Sequence, residues 1–258
     1  MIRLEQPWPE VPELAAVYDV ECAGRWDHDF YLGIADDIDA GTVVDVGCGT
    51  GVFNVDVARQ GRRSIGTDPA AVILDIARAR DGGELCEWVH GGPGDLEASI
   101  ADLVIMMGHV AQYFLTDDDW AEVLAGCRHV LRPGGYISFE NRMPWIDWRS
   151  RWTRERSEGE LDHPDGGRFT SWVEMVDWRE LDHGPLGRGG LDTHEGHTVL
   201  PDGRHFVSSG SLRFRTAAEV RGSLDAAGFD VVTEWGWWDR APFVEGESEE
   251  LIVLARRR

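Results

Sequence analysis

Val43-Val44-Asp45-Val46-Gly47-Cys48-Gly49-Thr50-Gly51 is the stretch that decides the fold. Its first residues belong to an apolar strand, Thr42 to Val46, and three glycines at alternate positions then lead into a helix running through Ala58. Such a turn needs glycine because the chain takes up unusual φ/ψ and because a Cβ would keep a ligand off the backbone. The helix start beyond it presents free N–H groups. The spacing is GxGxG, and Val52 stands where a dinucleotide fingerprint would carry its third glycine. Asp45, just ahead of the loop, also suits a cationic ligand better than a pyrophosphate. A nicotinamide-dependent oxidoreductase is therefore disfavoured.

Outward from this loop, residues 42 to 141 alternate short β-rich runs with helical ones, the mark of a parallel sheet with crossover helices. A second strand ends at Asp68-Pro69 and a helix follows over Ala70 to Ala79. Leu85 to His90 reads as a third strand and Ala101 to Met107 as a fourth. Thr116 is placed to cap a helix over Asp117 to Val130, whose first turn is acidic as the helix dipole prefers. Pro133-Gly134-Gly135 turns into a fifth strand, Tyr136 to Glu140. Residues 142 to 169 look irregular, and 170 to 215 alternate in strand fashion around Pro201-Asp202-Gly203. Thr216 caps a further helix through Ala227, and two strands, Phe229 to Trp235 and Leu251 to Ala255, close the chain.

VDVGCGTG resembles the first motif of class I S-adenosylmethionine-dependent methyltransferases, and three further stretches extend the resemblance over about residues 42 to 141. Asp68 resembles the acid that hydrogen-bonds both ribose hydroxyls, a task for a group that accepts two bonds at once. Asp102-Leu103-Val104-Ile105-Met106-Met107 resembles the fourth strand, whose C-terminal end lies against the cofactor. Leu131-Arg132-Pro133-Gly134-Gly135 resembles the turn into the fifth. The resemblance implies S-adenosylmethionine as cofactor, held by Asp45, Gly47, Cys48, Gly49, Gly51, Asp68, Pro69 and Met107. Where the family has an acid for the adenine, this chain has His90-Gly91-Gly92, and Asp95 either takes that role or caps the short segment beyond it.

The implied architecture is a Rossmann-like α/β fold: a seven-stranded mixed sheet with its last strand antiparallel, helices on both faces, and a β-rich insertion after the fifth strand. It divides into an N-terminal helical cover (1–41), a cofactor-binding core (42–141), the insertion as lid or dimer surface (142–215), and the end of the core sheet (216–258). Methyl transfer from a sulfonium is an in-line displacement, so position matters most and a base helps only a protonated acceptor. His109 and Glu140, at the ends of the fourth and fifth strands, are the candidate catalytic groups. Tyr18, Trp26, Tyr31, Trp145 and Trp148 are the candidate acceptor-binding residues, each with ordinary packing as its alternative. His194-Glu195-Gly196-His197 is one residue short of a zincin motif and lies in strand-like sequence, so no metal is expected.

Composition narrows the partners. Hydrophobic residues make up 42% of the 258-residue chain, enough for a packed core. The net charge of -22, from 47 acidic and 25 basic residues, disfavours a nucleic-acid substrate. All 25 basic residues are Arg, which excludes Schiff-base and P-loop lysine chemistry. The four cysteines form no CxxC pair and fit a reducing cytoplasm. No apolar run approaches the ~20 residues of a bilayer span. The acidic balance and aromatic lid point to a small-molecule acceptor and a soluble protein, with a homodimer as a further expectation. A protein acceptor, or cofactor binding without transfer, is the alternative.

Overall fold

The computed structural model describes residues 1–258 except Gln6, Ala23, Arg25, His183, Pro185 and Leu186, together with the side chain of Trp26. An N-terminal segment contains strand β1 (Ile2–Arg3) and helices α1 (Pro12–Ala15), α2 (Tyr18–Glu21) and α3 (Trp26–Asp37). Strands β2 (Thr42–Val46), β3 (Arg63–Asp68) and β4 (Glu87–His90) alternate with α4 (Val52–Arg59) and α5 (Ala71–Ala79). Then come β5 (Ala101–Met106), α6 (Asp117–Val130) and β6 (Leu131–Arg142). The excursion holds α7 (Trp148–Arg151), α8 (Arg154–Ser157), β7 (Gly159–Asp162), β8 (Arg168–Asp182), β9 (Arg188–Val199), β10 (His205–Gly210) and β11 (Arg213–Phe214). Helix α9 (Ala217–Ala226) and strands β12 (Phe229–Trp235) and β13 (Glu250–Arg257) complete the chain.

Seven strands form the main sheet in the order β12-β13-β6-β5-β2-β3-β4, and β13 runs antiparallel to both of its neighbours. Every residue of β2 is buried, as an apolar, β-branched strand covered on both faces must be. One face packs on α3 and α4 through Phe30, Tyr31, Ile34, Phe53 and Val57. The other packs on α6 and α9 through Trp120, Leu124, Val130, Val220 and Leu224. Thr116 accepts the N–H of Asp119 at the start of α6, and Thr216 forms a reciprocal capping box with Glu219 at the start of α9. Strand β6 begins at Leu131, so Pro133-Gly134-Gly135 is a bulge inside the strand rather than a turn before it: Ala101 pairs with Leu131 but Leu103 with Tyr136.

The second sheet has the order β1-β10-β9-β8-β7, with β11 also on β9. Residues 142 to 169 are less irregular than their composition implies, since they supply two short helices and β7. The N-terminal segment is not wholly helical: Ile2 and Arg3 pair in parallel with Phe206 and Val207. Val11, Leu14 and Val17 of that segment bury themselves with Phe169, Leu200 and Phe206. Alternation could not reveal this docking, because two residues of strand carry no periodicity.

Candidate active site

Strands β2, β3, β5 and β6 end on one edge, and the strand order reverses between β2 and β5. Loops diverge at such a switch point and leave a crevice. Gly47, Gly49 and Gly51 line it with φ of 74°, 53° and 75°. The N–H groups of Gly47 and Cys48 donate to the Thr67 carbonyl at 2.8 and 3.0 Å, which pins the loop to β3. A Cβ at Gly47 would stand 2.6 Å from Val110, and one at Gly51 would collide with the Trp88 ring. At Gly49 a Cβ would meet nothing nearer than the Tyr18 ring at 3.5 Å, so this glycine is needed for its backbone conformation.

Asp68 closes β3 and accepts the Gly49 N–H at 3.0 Å and the Ala70 N–H at 2.9 Å, one on each carboxylate oxygen. Each oxygen keeps a second lone pair for a ligand hydroxyl. Burial raises the Asp68 pKa against those two bonds. Asp45 lies deeper in β2. Its Oδ2 is buried with no hydrogen-bond partner, and burial, with the charges of Asp68 and Glu140, pushes its pKa up to about 8. An unpartnered buried carboxylate is costly unless a ligand answers it, and a cationic group is the fitting answer. Loop, Asp68 and Asp45 together fit a nucleoside carrying a positively charged amino-acid tail.

A second cluster adjoins the first. Glu140, wholly buried near the end of β6, accepts the Tyr31 hydroxyl and, at 2.6 Å, the His109 N–H. Gly108 and His109 both take left-handed conformations, with φ of 71° and 62°. The strain at His109, about 1–2 kcal/mol, is offset by that charge-assisted bond. Its Nε2 lies 3.1 Å from Glu250, and its Nδ1 faces Glu140 at 3.9 Å, beyond hydrogen-bond reach. Both ring nitrogens therefore face carboxylates. Burial raises the pKa of Glu140 and lifts that of Tyr31 far above the ordinary tyrosine range.

The structure thus brings Asp45, Gly47, Cys48, Gly49, Gly51 and Asp68 into one loop system, with Tyr18 over Gly49, and gathers Tyr31, His109 and Glu140 beside it. Pro69 is exposed next to Asp68 and its carbonyl lies 2.8 Å from His90 Nε2. Met107 is half-buried and packs with the α3 side of the core. Asp95 turns back to accept the Gly92 N–H at 2.9 Å in a capping box. Trp148 is buried against Leu212 and Phe214, and its indole N–H donates to Met143. Trp145 leans on Phe243 and donates to Ser248. The side chain of Trp26 lies outside the described residues. Sequence reading missed Glu250, which arrives from the last strand with no spacing to link it to His109. It also missed Tyr113, just beyond His109, which lies within electrostatic reach of Tyr18. His194 and His197 do lie in a strand, β9, where His197 stacks on Trp172.

Residues 43–135 match the family model described as a methyltransferase domain. A ubiquinone biosynthesis O-methyltransferase of Serratia proteamaculans is 29% identical over 117 residues, 41% of this chain and 46% of that protein. The match thus spans about half the length of that curated relative. Among solved structures, the CcbJ methyltransferase of Streptomyces caelestis superposes with a TM-score of 0.71 at 18% identity, over 98% of this chain and 99% of that one. An S-adenosylmethionine-bound amino pentose methyltransferase from Micromonospora echinaspora gives 0.61 at 22% identity, over 94% and 95%. The chain has the class I methyltransferase fold.

Proposed function

We propose, on the premise that residues 43–135 are a methyltransferase domain in a chain of class I methyltransferase fold, that this protein transfers a methyl group from S-adenosylmethionine to a small-molecule acceptor. The observation that carries this reading is the unpartnered Oδ2 of buried Asp45 beside a glycine loop already tied to Asp68. Asp45 would hold the cationic amino-acid end of the cofactor, Asp68 the ribose hydroxyls, and Gly47, Cys48, Gly49 and Gly51 would let the backbone approach it. Pro69, Asp95 and Met107 would border the adenine. The cofactor supplies an activated methyl on a sulfonium; what the chain supplies is position and a dry wall.

Tyr31, His109, Glu140 and Glu250 make that wall rigid at the ends of β5, β6 and β13. Tyr18 covers the nucleoside end, while Trp145 and Trp148 back the acceptor side. A small acceptor is supported by the similarity to proteins that act in ubiquinone biosynthesis or on an amino pentose. It is supported too by a net charge of -22, which opposes nucleic acid. No helix among the described residues is long and apolar enough to cross a membrane. We place the work of this enzyme in the cytoplasm, where its cysteines stay reduced. We further assign 1–41 and 142–215 together as the cover of the site.

Calorimetric titration with S-adenosylmethionine and S-adenosylhomocysteine, with NAD as control, tests the reading. Micromolar binding of the two sulfur nucleosides alone supports it. Folded protein that ignores both, or prefers NAD, refutes it.

A further inference from the structure

The inward face of the second sheet carries a paired imidazole and carboxylate that the cofactor site does not use. Alternation along β8, β9 and β10 puts Ser171 with Thr198, Val173 with Gly196, and Met175 with His194 on one face. Phe169, Leu200 and Phe206 extend that face under the N-terminal segment. Further along it lies Asp192, wholly buried, whose Oδ1 accepts the Leu212 N–H while its Oδ2 lies 2.8 Å from His194 Nδ1. A carboxylate only accepts, so Nδ1 carries the proton and Nε2 keeps a lone pair. That Nε2 has no hydrogen-bond partner among the described residues. The side chain is 18% exposed, and Gly210 leaves it room, since a Cβ there would stand 2.7 Å from Nε2.

Ring and cation contacts link this pair to the strand ends of the first sheet, where Arg142, at the end of β6, donates to Gln112 Oε1 at 3.2 Å. Tyr113 is 54% exposed, and Glu21 and Cys22 are exposed too, yet burial raises the pKa of all three. Tyr18, which hangs over Gly49, lies within electrostatic reach of both Asp68 and Tyr113. Tyr113 in turn lies within reach of Arg142 and Asp192. Arg142 spreads over the Trp152 ring at 5.2 Å, and His194 meets the edge of the same ring at 5.7 Å. The charged and titratable groups on this side of His194 are Asp192 on its own strand, Arg142 across the Trp152 ring, and Glu21 over Ser171 and Thr198; Met175 and Gly210 bring no charge.

We propose that Nε2 of His194, oriented by Asp192, is the base that takes the proton of the methyl acceptor, and that the acceptor is accordingly an alcohol, a phenol or an ammonium. This rests on the methyl-transfer reading. As the acceptor oxygen or nitrogen bonds to the methyl carbon, the carbon–sulfur bond breaks and its electron pair stays on sulfur. The acceptor proton passes to Nε2, from an alcohol or phenol as the new bond forms and from an ammonium beforehand, so that nitrogen has its lone pair for the attack; buried Asp192 stabilises the imidazolium. His109 is less suited to this task, because both of its nitrogens face carboxylates.

The test compares the protein bound to S-adenosylmethionine with the protein bound to S-adenosylhomocysteine, which lacks the sulfonium charge. The His194 imidazole is followed by NMR and assigned by the signal lost in His194→Gln. A cation within about 7 Å lowers its titration midpoint by about half a unit or more in the S-adenosylmethionine complex. Equal midpoints place the ring out of reach and overturn the proposal. In turnover with methylamine, glucosamine, phenol and catechol as probes, His194→Gln loses about 10²–10⁴-fold in kcat. It keeps nucleoside affinity within about twofold of the parent, because the cofactor contacts are untouched. Asp192→Asn keeps the Leu212 contact and lowers kcat by a smaller factor than His194→Gln. A His194→Gln enzyme with parental kcat and pH profile overturns the proposal. Wild-type protein that binds neither nucleoside fails the methyl-transfer reading itself, a result visible before any variant is made.

Discussion

In the seven-stranded sheet, β2 is buried along its whole length and its outgoing loop has no freedom: two of three glycines are hemmed in by Val110 and Trp88. In the second sheet, β8 and β9 are long and half-exposed, with charged pairs such as Arg188–Glu180 across them. Its turn glycine, Gly203, has φ of 84° and open space where a Cβ would go. The first sheet is specified by local steric necessity. The second is specified by alternation and by what docks on it from far away in the chain. On the proposed function the first sheet meets a nucleoside that does not vary and the second meets the acceptor, so the two need not be specified alike.

Substitutions can break this comparison. Gly51→Ala meets both a left-handed φ and the Trp88 ring, and about 3–4 kcal/mol of stability should be lost in urea denaturation. A loss under 1 kcal/mol would show the loop to be as pliant as the second sheet. Asp68→Ala removes a bidentate partner, so cofactor affinity should fall by about 1.5–3 kcal/mol in calorimetry. Unchanged affinity would displace the ribose from this site.

Asp45 sharpens the contrast through pH. With a folded pKa of about 8 against an ordinary value near 3.8, the protein keeps this proton better than the unfolded chain. Its contribution to stability is full below about pH 4, is lost progressively as pH rises from there to about 8, and changes no further above that. A cationic ligand needs the ionised form, so nucleoside affinity should rise between about pH 6 and 8, with proton release seen in buffers of different ionisation enthalpy. Asp45→Asn should lower affinity about tenfold, about 1.4 kcal/mol, and flatten that rise. A rise that survives the substitution would assign it elsewhere. The smallest effect belongs to Gly203→Ala, where only the left-handed φ is penalised, about 1 kcal/mol by thermal unfolding. A cost as large as that of Gly51→Ala would erase the distinction between the two sheets.

The same contrast decides what could be read in advance. Val43 to Gly51 and Asp68 announce themselves because a strand, a tight turn and a helix start each demand particular residue types in a short window. Thr116 and Thr216 are legible for the same reason. The Tyr31–Glu140–His109 cluster is half-legible: its members stand at strand ends, but Glu250 comes from an antiparallel strand whose register no local pattern fixes. His194 and Asp192 read only as alternating strand residues. Alternation puts them on one face of β9, but the Leu212 N–H that holds Asp192 in place comes from another segment, which a one-dimensional pattern does not show. Trp145 and Trp148 read in advance only as aromatics after the fifth strand, and it takes the fold to show their indole N–H groups engaged by backbone carbonyls.

The pairing of Ile2 with Phe206 bears on the order in which this chain can fold. The glycine loop, β2 and β3 find one another over a few tens of residues and can close early on the ribosome. The cover needs β10 before β1 has anywhere to go, so it is a late contact of high sequence separation. Until the second sheet exists, Val11, Leu14 and Val17 have no apolar partner there. Chain order therefore allows the glycine loop to form while the second sheet is still incomplete.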